Sequence, residues 1–190
     1  WFHVDGAYGA AAAALPDASD DLKALSMADS VAIDPHKWLY SPLEAGCALV
    51  RDPKILRDTF SYHPTYYSFE QESEQPGLNY YEYGPQNSRG FRALKVWLGL
   101  RQVGRQGYRK MISDDIQLAK ALFDLAQAHP ELETLTLGLS ICTFRYVPAG
   151  LWTGSEKAET YLNELNTELL ARVQRGGEAF LVRADARIRH

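Results

Sequence analysis

Apolar residues come in short blocks in the first third of the chain. Trp1 to Val4 is apolar and ends at Asp5-Gly6, the pattern of a buried strand running into a turn. Asp29 to Ile33 is a second such block, ended by Asp34-Pro35, and Gly46 to Val50 is a third. Between the first two lie Ala10 to Leu15, a small-residue helix or loop stopped by Pro16, and Leu22 to Met27, a short helical turn. Asp52-Pro53 is a helix start, with Asp as the cap and Pro in the first turn. Residues 62–90 show no period. They are rich in tyrosine, proline and glycine; a loop of that length inside a domain is usually functional or disordered, and the tyrosines argue against plain disorder.

The period then becomes helical. Phe91 to Val103 carries Leu94, Trp97, Leu98 and Leu100 on a wide apolar face, Gly104 and Gly107 break the pattern, and Tyr108 to Ala128 resumes it. Beyond His129-Pro130 the chain reads differently. Leu135, Leu137 and Leu139, then Ile141, Thr143 and Arg145, form two β segments around Gly138 that pair as a hairpin. Glu156 to Arg175 is a helix closed by Gly176-Gly177, and Glu178 to Ala184 begins a further strand. These elements predict an α/β part over residues 1–129 and a small α+β part over 130–190.

Composition narrows the function classes. Of 190 residues, 46% are hydrophobic and 23% charged, which are globular values. A net charge of -4 argues against a nucleic-acid surface, and no apolar run is long enough to span a membrane. Cys47 and Cys142 sit far apart in apolar runs. They read as two buried, inert thiols of a reducing compartment rather than as a disulfide or a zinc site. The chain opens within a strand-like run and without Met, so it is expected to be part of a longer protein that would cover its open strand edges.

Two places carry candidate chemistry. In His3-Val4-Asp5-Gly6-Ala7-Tyr8, Asp5 lies just past a strand end, where ligands bind in open α/β sheets; it reads equally as a cap of the following turn. In Asp34-Pro35-His36-Lys37-Trp38, a lysine follows the second strand. Taken alone it is a solvated turn residue, but among apolar neighbours it is an amine able to form a Schiff base with a carbonyl. Parallel strands joined by a crossover put both strand ends on one side of the sheet. A carboxylate and an amine placed so suit pyridoxal phosphate chemistry, in which lysine binds the aldehyde and an acidic partner keeps the ring nitrogen protonated.

The segments FHVDGAY, ADSVAIDPHKWLYSPLEAGCALVRD, HPTYY and SRGFRALKVWLGLR resemble the group II pyridoxal-phosphate-dependent amino acid decarboxylases. That group includes the aromatic-L-amino-acid, histidine, cysteine-sulfinate and glutamate decarboxylases. The resemblance covers essentially the whole chain, and P-H-K-W with an upstream H-V-D-x-A is specific in combination. It implies a fold-type-I, transferase-like architecture: part of the large cofactor-binding domain over 1–129, then an incomplete small domain over 130–190.

By resemblance, Lys37 matches the lysine that binds the cofactor aldehyde, and Asp5 the aspartate that pairs with the pyridinium nitrogen. Ala7 matches the small residue beside the ring, and His36 the histidine near the phosphate and active centre. Tyr66 matches a loop tyrosine that returns a proton to the substrate's α-carbon. The resemblance further implies an L-amino acid substrate, possibly aromatic, and a cytoplasmic homodimer in which the loop closes over the partner subunit's site. It also implies that the phosphate cradle and the ring-stacking residue lie outside this chain. Three local departures stand out. Asp34 replaces a common Asn near the phosphate, where a negative charge must be paired or turned away. Gly6 replaces a common Ala, a minor change, and Gln86-Asn87-Ser88 differs from the usual residues. Aldehyde synthesis and transamination are the alternatives within the cofactor class. A cofactor-free Schiff-base aldolase and a non-catalytic homologue are the alternatives outside it.

Overall fold

The computed structural model describes residues 1–62, 64 and 78–184. The chain divides into two compact units, Trp1–Ile112 and Ser113–His190.

The first unit is built on a three-stranded mixed sheet in the order β1-β2-β3. Strands β1 (His3–Asp5) and β2 (Ser30–Ile33) are parallel, with His3 opposite Ser30 and Asp5 opposite Ala32. Strand β3 (Cys47–Val50) returns antiparallel to β2. The β1–β2 crossover is made of short pieces: a 3-10 turn over Gly9–Ala14, helix α1 (Asp20–Lys23) and a second 3-10 turn over Ala24–Met27. Ser30 ties the chain start to β2: its hydroxyl accepts from Trp1 Nε1 at 3.0 Å and meets His3 Nδ1 at 2.7 Å. Small side chains fill the interior around the crossover, with Ala10, Ala12, Ala18 and Ala28 buried.

Helix α2 (Pro53–Phe60) starts where the sequence predicts, with the Asp52 side chain accepting from Lys54 N at 3.0 Å. The 3-10 turn Tyr80–Tyr83 packs on α2, and the buried Glu82 carboxylate meets Arg57 Nε at 3.1 Å. Helix α3 (Arg92–Ala128) is interrupted at Gly104, whose φ of 68° and ψ of 170° are non-helical. The glycine break read from the sequence is therefore a kink that only a residue without Cβ adopts freely. The predicted apolar face of its first half is half exposed: Leu94, Trp97, Leu98 and Leu100 are not covered among the described residues.

In the second unit, β4 (Leu132–Gly138) and β5 (Ile141–Tyr146) form the predicted antiparallel hairpin, with a register shift between Thr134 and Thr136. Helix α4 (Glu156–Gly176) begins at the Ser155 cap and ends with Gly177 at φ 75°, the left-handed position that glycine favours. Asn166 of α4 binds both backbone groups of Tyr146, donating to its carbonyl at 2.8 Å and accepting from its N–H at 2.7 Å. Arg145 pairs with Glu133 and Glu159, and these carboxylates hold its guanidinium charged against the desolvation of its site.

The structure corrects three sequence expectations. Residues 178–184 form no strand: among the described residues no strand pairs with them, and Gln174 Nε2 instead holds the Leu181 carbonyl at 2.6 Å. Leu139 lies in the hairpin turn at φ 51° rather than in a β segment. Cys47 is exposed and Cys142 half-buried, so neither is a buried thiol. Cys47 sits on β3, which ends the sheet order, and an apolar run on such a strand need not be covered.

Candidate functional site

Two turns meet at the C-terminal ends of β1 and β2. The parallel pairing continues past β1: Gly6 N–H donates to the Ala32 carbonyl at 3.0 Å, and Asp34 N–H donates to the Ala7 carbonyl at 2.9 Å. A stack of Tyr8 on Trp38, with ring centroids 4.6 Å apart and 17° between planes, joins the two turns through side chains. Trp38 is buried. The residue next to Lys37 is therefore packed into the interior, whereas Lys37 itself is partly open to water.

The first turn is shaped by Asp5. Its Oδ1 accepts from Ala7 N–H at 3.1 Å, so the turn-capping role is present in the structure. Among the described residues this bond uses one carboxylate oxygen and leaves Oδ2 available. Gly6 is more than a minor replacement for alanine here. A methyl group built on it lies 2.6 Å from Ala10 Cβ, inside any normal carbon contact.

The second turn presents Asp34, His36 and Lys37 together. Two successive backbone bonds wind it tightly, Lys37 N–H to the Asp34 carbonyl at 2.9 Å and Tyr40 N–H to the Lys37 carbonyl at 3.1 Å. Lys37 Nζ lies 2.8 Å from Asp34 Oδ2, and His36 Nε2 lies 3.8 Å from the same oxygen. A hydrogen bond from the Lys37 ammonium holds the Asp34 carboxyl below the usual carboxylate range, with the two nearby positive charges adding to it and partial desolvation opposing. His36 Nδ1 stands 2.7 Å from the Ala45 carbonyl and 3.2 Å from Ala45 N, so both backbone groups of Ala45 hold that nitrogen and Nε2 is the one turned to Asp34. The extra negative charge at Asp34 is thus paired, one of the two outcomes its position allowed.

Residues 1–147 match the model of the pyridoxal-dependent decarboxylase conserved domain. The chain belongs to this family. Among curated decarboxylase relatives, it is 37% identical over 183 residues to an aromatic-L-amino-acid decarboxylase of Bacillus atrophaeus, covering 95% of this chain and 37% of that protein. It is 30% identical over 186 residues to a phenylacetaldehyde synthase of a Rosa hybrid cultivar, covering 97% and 37%. Among solved structures it resembles Oryza sativa TDC with PLP and tryptamine, at a TM-score of 0.84 and 27% identity, covering 97% of this chain and 37% of that one. The chain therefore spans little more than a third of the length of the relatives it matches.

The decarboxylase family implies pyridoxal phosphate, and the donor set at the two turns fits it. An amine, an imidazole and a carboxylate with a free oxygen stand on paired strand ends. The Ser41 hydroxyl, buried after the same turn, has no hydrogen-bond partner among the described residues. Of the residues singled out by sequence, Asp5, Ala7, His36 and Lys37 lie in these turns; Tyr66 falls outside the described residues. Sequence reasoning did not find Ser41, and serine before proline gives no signal of burial.

Proposed function

We propose that this chain carries the lysine half of the active site of an amino acid decarboxylase, releasing carbon dioxide from an L-amino acid, with an aromatic one the favoured substrate. The observation that carries this reading is the pairing of parallel strands β1 and β2. It sets the Asp5 carboxylate and the Lys37 amine on neighbouring turns. When bound, pyridoxal phosphate supplies the electron sink for the bond broken at the substrate's α-carbon.

This chain's residues take the following parts. Lys37 is the amine that takes the cofactor aldehyde. Asp5, through the oxygen not used by Ala7 N–H, holds the proton on the ring nitrogen, and Ala7 leaves room beside the ring. His36, held at Nδ1 by the backbone of Ala45, offers Nε2 to move a proton next to Lys37. The buried Trp38, stacked on Tyr8, keeps the base of the turn dry and fixes the direction from which Lys37 emerges. Tyr66 is proposed as the acid that returns a proton to the α-carbon, on the strength of its HPTYY context alone. The reading extends to a homodimer in the cytoplasm, supported by the resemblance in sequence.

Similarity to a phenylacetaldehyde synthase supports aldehyde formation as a second reading, in which oxygen intercepts the same reaction. One experiment separates them. The intact protein that carries this chain is incubated with pyridoxal phosphate and a panel of L-amino acids, and carbon dioxide, amine, aldehyde and hydrogen peroxide are measured together. Carbon dioxide with matching amine is expected for an aromatic substrate. Aldehyde with peroxide favours the second reading, and no carbon dioxide from any amino acid contradicts both.

A further inference from the structure

The mechanism above gives no task to Asp34, yet its Oδ2 is the atom against which Lys37 Nζ rests, 2.8 Å away. We propose that Asp34 is a positioning residue that parks Lys37 as a hydrogen-bonded ammonium before the aldehyde arrives, so that loading of the lysine is slowed by the need to release this pair. The inference rests on the reading of Lys37 as the aldehyde-binding amine.

The turn makes the pairing local and built in. Asp34 and Lys37 are three residues apart in a turn whose backbone bond, Lys37 N–H to the Asp34 carbonyl, brings the two side chains to one side. Pro35 fixes one backbone angle between them. His36 Nε2 approaches the same oxygen at 3.8 Å, so a positive charge on the imidazole would draw on Asp34 as well. The described charged side chains placed against Asp34 are thus those of Lys37 and His36.

The chemistry gives the pair a kinetic consequence. An ammonium has no lone pair and cannot attack a carbonyl. Lys37 must first give up one proton. Its freed lone pair then forms the N–C bond to the aldehyde carbon, and the carbonyl oxygen leaves as water. That water carries one hydrogen from the amine and the proton first released, and the amine's other hydrogen stays on the nitrogen, which keeps the positive charge. The Asp34 carboxylate occupies Nζ at 2.8 Å, so this contact must also open before Nζ can turn to the aldehyde. Both partners are partly exposed, with side-chain accessibilities of 29% for Asp34 and 43% for Lys37, so the effect is that of a solvent-screened pair. A rate change of about two- to fivefold follows from the usual strength of such pairs.

The test uses the intact protein freed of cofactor, in its original form and as Asp34→Asn and Asp34→Glu. Asp34→Asn keeps the shape and both backbone bonds of Asp34, to Ala7 and from Lys37. Growth of the absorbance band of the lysine–aldehyde adduct is followed after mixing with pyridoxal phosphate, and separately with unphosphorylated pyridoxal, across pH. Asp34→Asn is expected to load about two- to fivefold faster than the original protein near neutral pH with both aldehydes. Asp34→Glu, which keeps the charge, is expected to stay closer to the original. Equal or slower loading by Asp34→Asn overturns the proposal. So does acceleration confined to the phosphorylated aldehyde, which would mean that Asp34 acts only by repelling phosphate. Failure of the underlying reading looks different, because the original protein would then show no adduct on Lys37 after borohydride reduction.

Discussion

Gly6 and Ala10 share a space that holds one methyl group and not two. Gly6 is buried at the end of β1, and an added Cβ would lie 2.6 Å from Ala10 Cβ and 3.3 Å from both the Ala32 carbonyl oxygen and Val31 Cγ1. Carbon atoms prefer about 3.5–4.0 Å, so Gly6→Ala forces a displacement of roughly 1 Å. None of the three neighbours is the free end of a flexible side chain. Ala10 Cβ is fixed to the 3-10 turn, and Ala32 accepts the Gly6 N–H bond that aligns the two turns of the site. Overpacking of this kind costs about 1–3 kcal/mol. Ala10→Gly alone costs about 1–2 kcal/mol, from a lost buried methyl and a freer backbone. In the double variant Gly6→Ala/Ala10→Gly the methyl simply changes owner. Independent effects would sum to about 2–5 kcal/mol, whereas a shared clash predicts about 1–2 kcal/mol, a coupling of about 1–3 kcal/mol. Urea titration of the intact protein, followed by intrinsic fluorescence, measures all four states, and an unchanged slope against urea keeps the comparison valid. Gly6→Ala within about 0.5 kcal/mol of the original, or a double variant as unstable as the sum, would refute the packing argument.

Trp38→Ala removes a buried ring stacked on Tyr8 and is expected to destabilise by about 3–5 kcal/mol in the same titration, with Trp38→Phe restoring much of it. Asp5→Asn is expected to keep cofactor attached to Lys37, read by absorbance. Turnover should fall at least tenfold, equivalent to about 1.4 kcal/mol or more on the barrier, because an amide cannot hold the proton on the ring nitrogen. Tyr66→Phe is expected to sustain carbon dioxide release while diverting product to aldehyde and peroxide in air; near-normal amine with no peroxide would assign Tyr66 to packing.

Much of the fold is legible because its signals are local. Asp52-Pro53 sets the start of α2, Gly104 the break in α3 and Gly177 the end of α4, each through backbone rules that need no distant partner. The β1–β2 relation is legible because a crossover between two apolar runs has one favoured outcome. Residues 178–184, Leu139 and Cys47 are not legible, for the opposite reason. Whether an apolar run pairs, turns or is covered depends on what lies beside it, and that information is not in the run. The site divides the same way. Its positions at strand ends are readable, while the Lys37–Asp34 contact and the orphaned Ser41 hydroxyl depend on how a tight turn aims its side chains. Gly6 looked interchangeable with alanine because its neighbour Ala10 meets it only in three dimensions.

Lys37 as the amine that holds the cofactor can be tested at the residue itself. The direct measurement is borohydride reduction of the intact protein with pyridoxal phosphate, followed by proteolysis and mass spectrometry of the lysine-containing peptides. One stoichiometric adduct is expected, on the peptide containing Asp34-Pro35-His36-Lys37-Trp38, and it should be lost in Lys37→Ala. A stoichiometric adduct on a different lysine, with Lys37 unmodified, would contradict it.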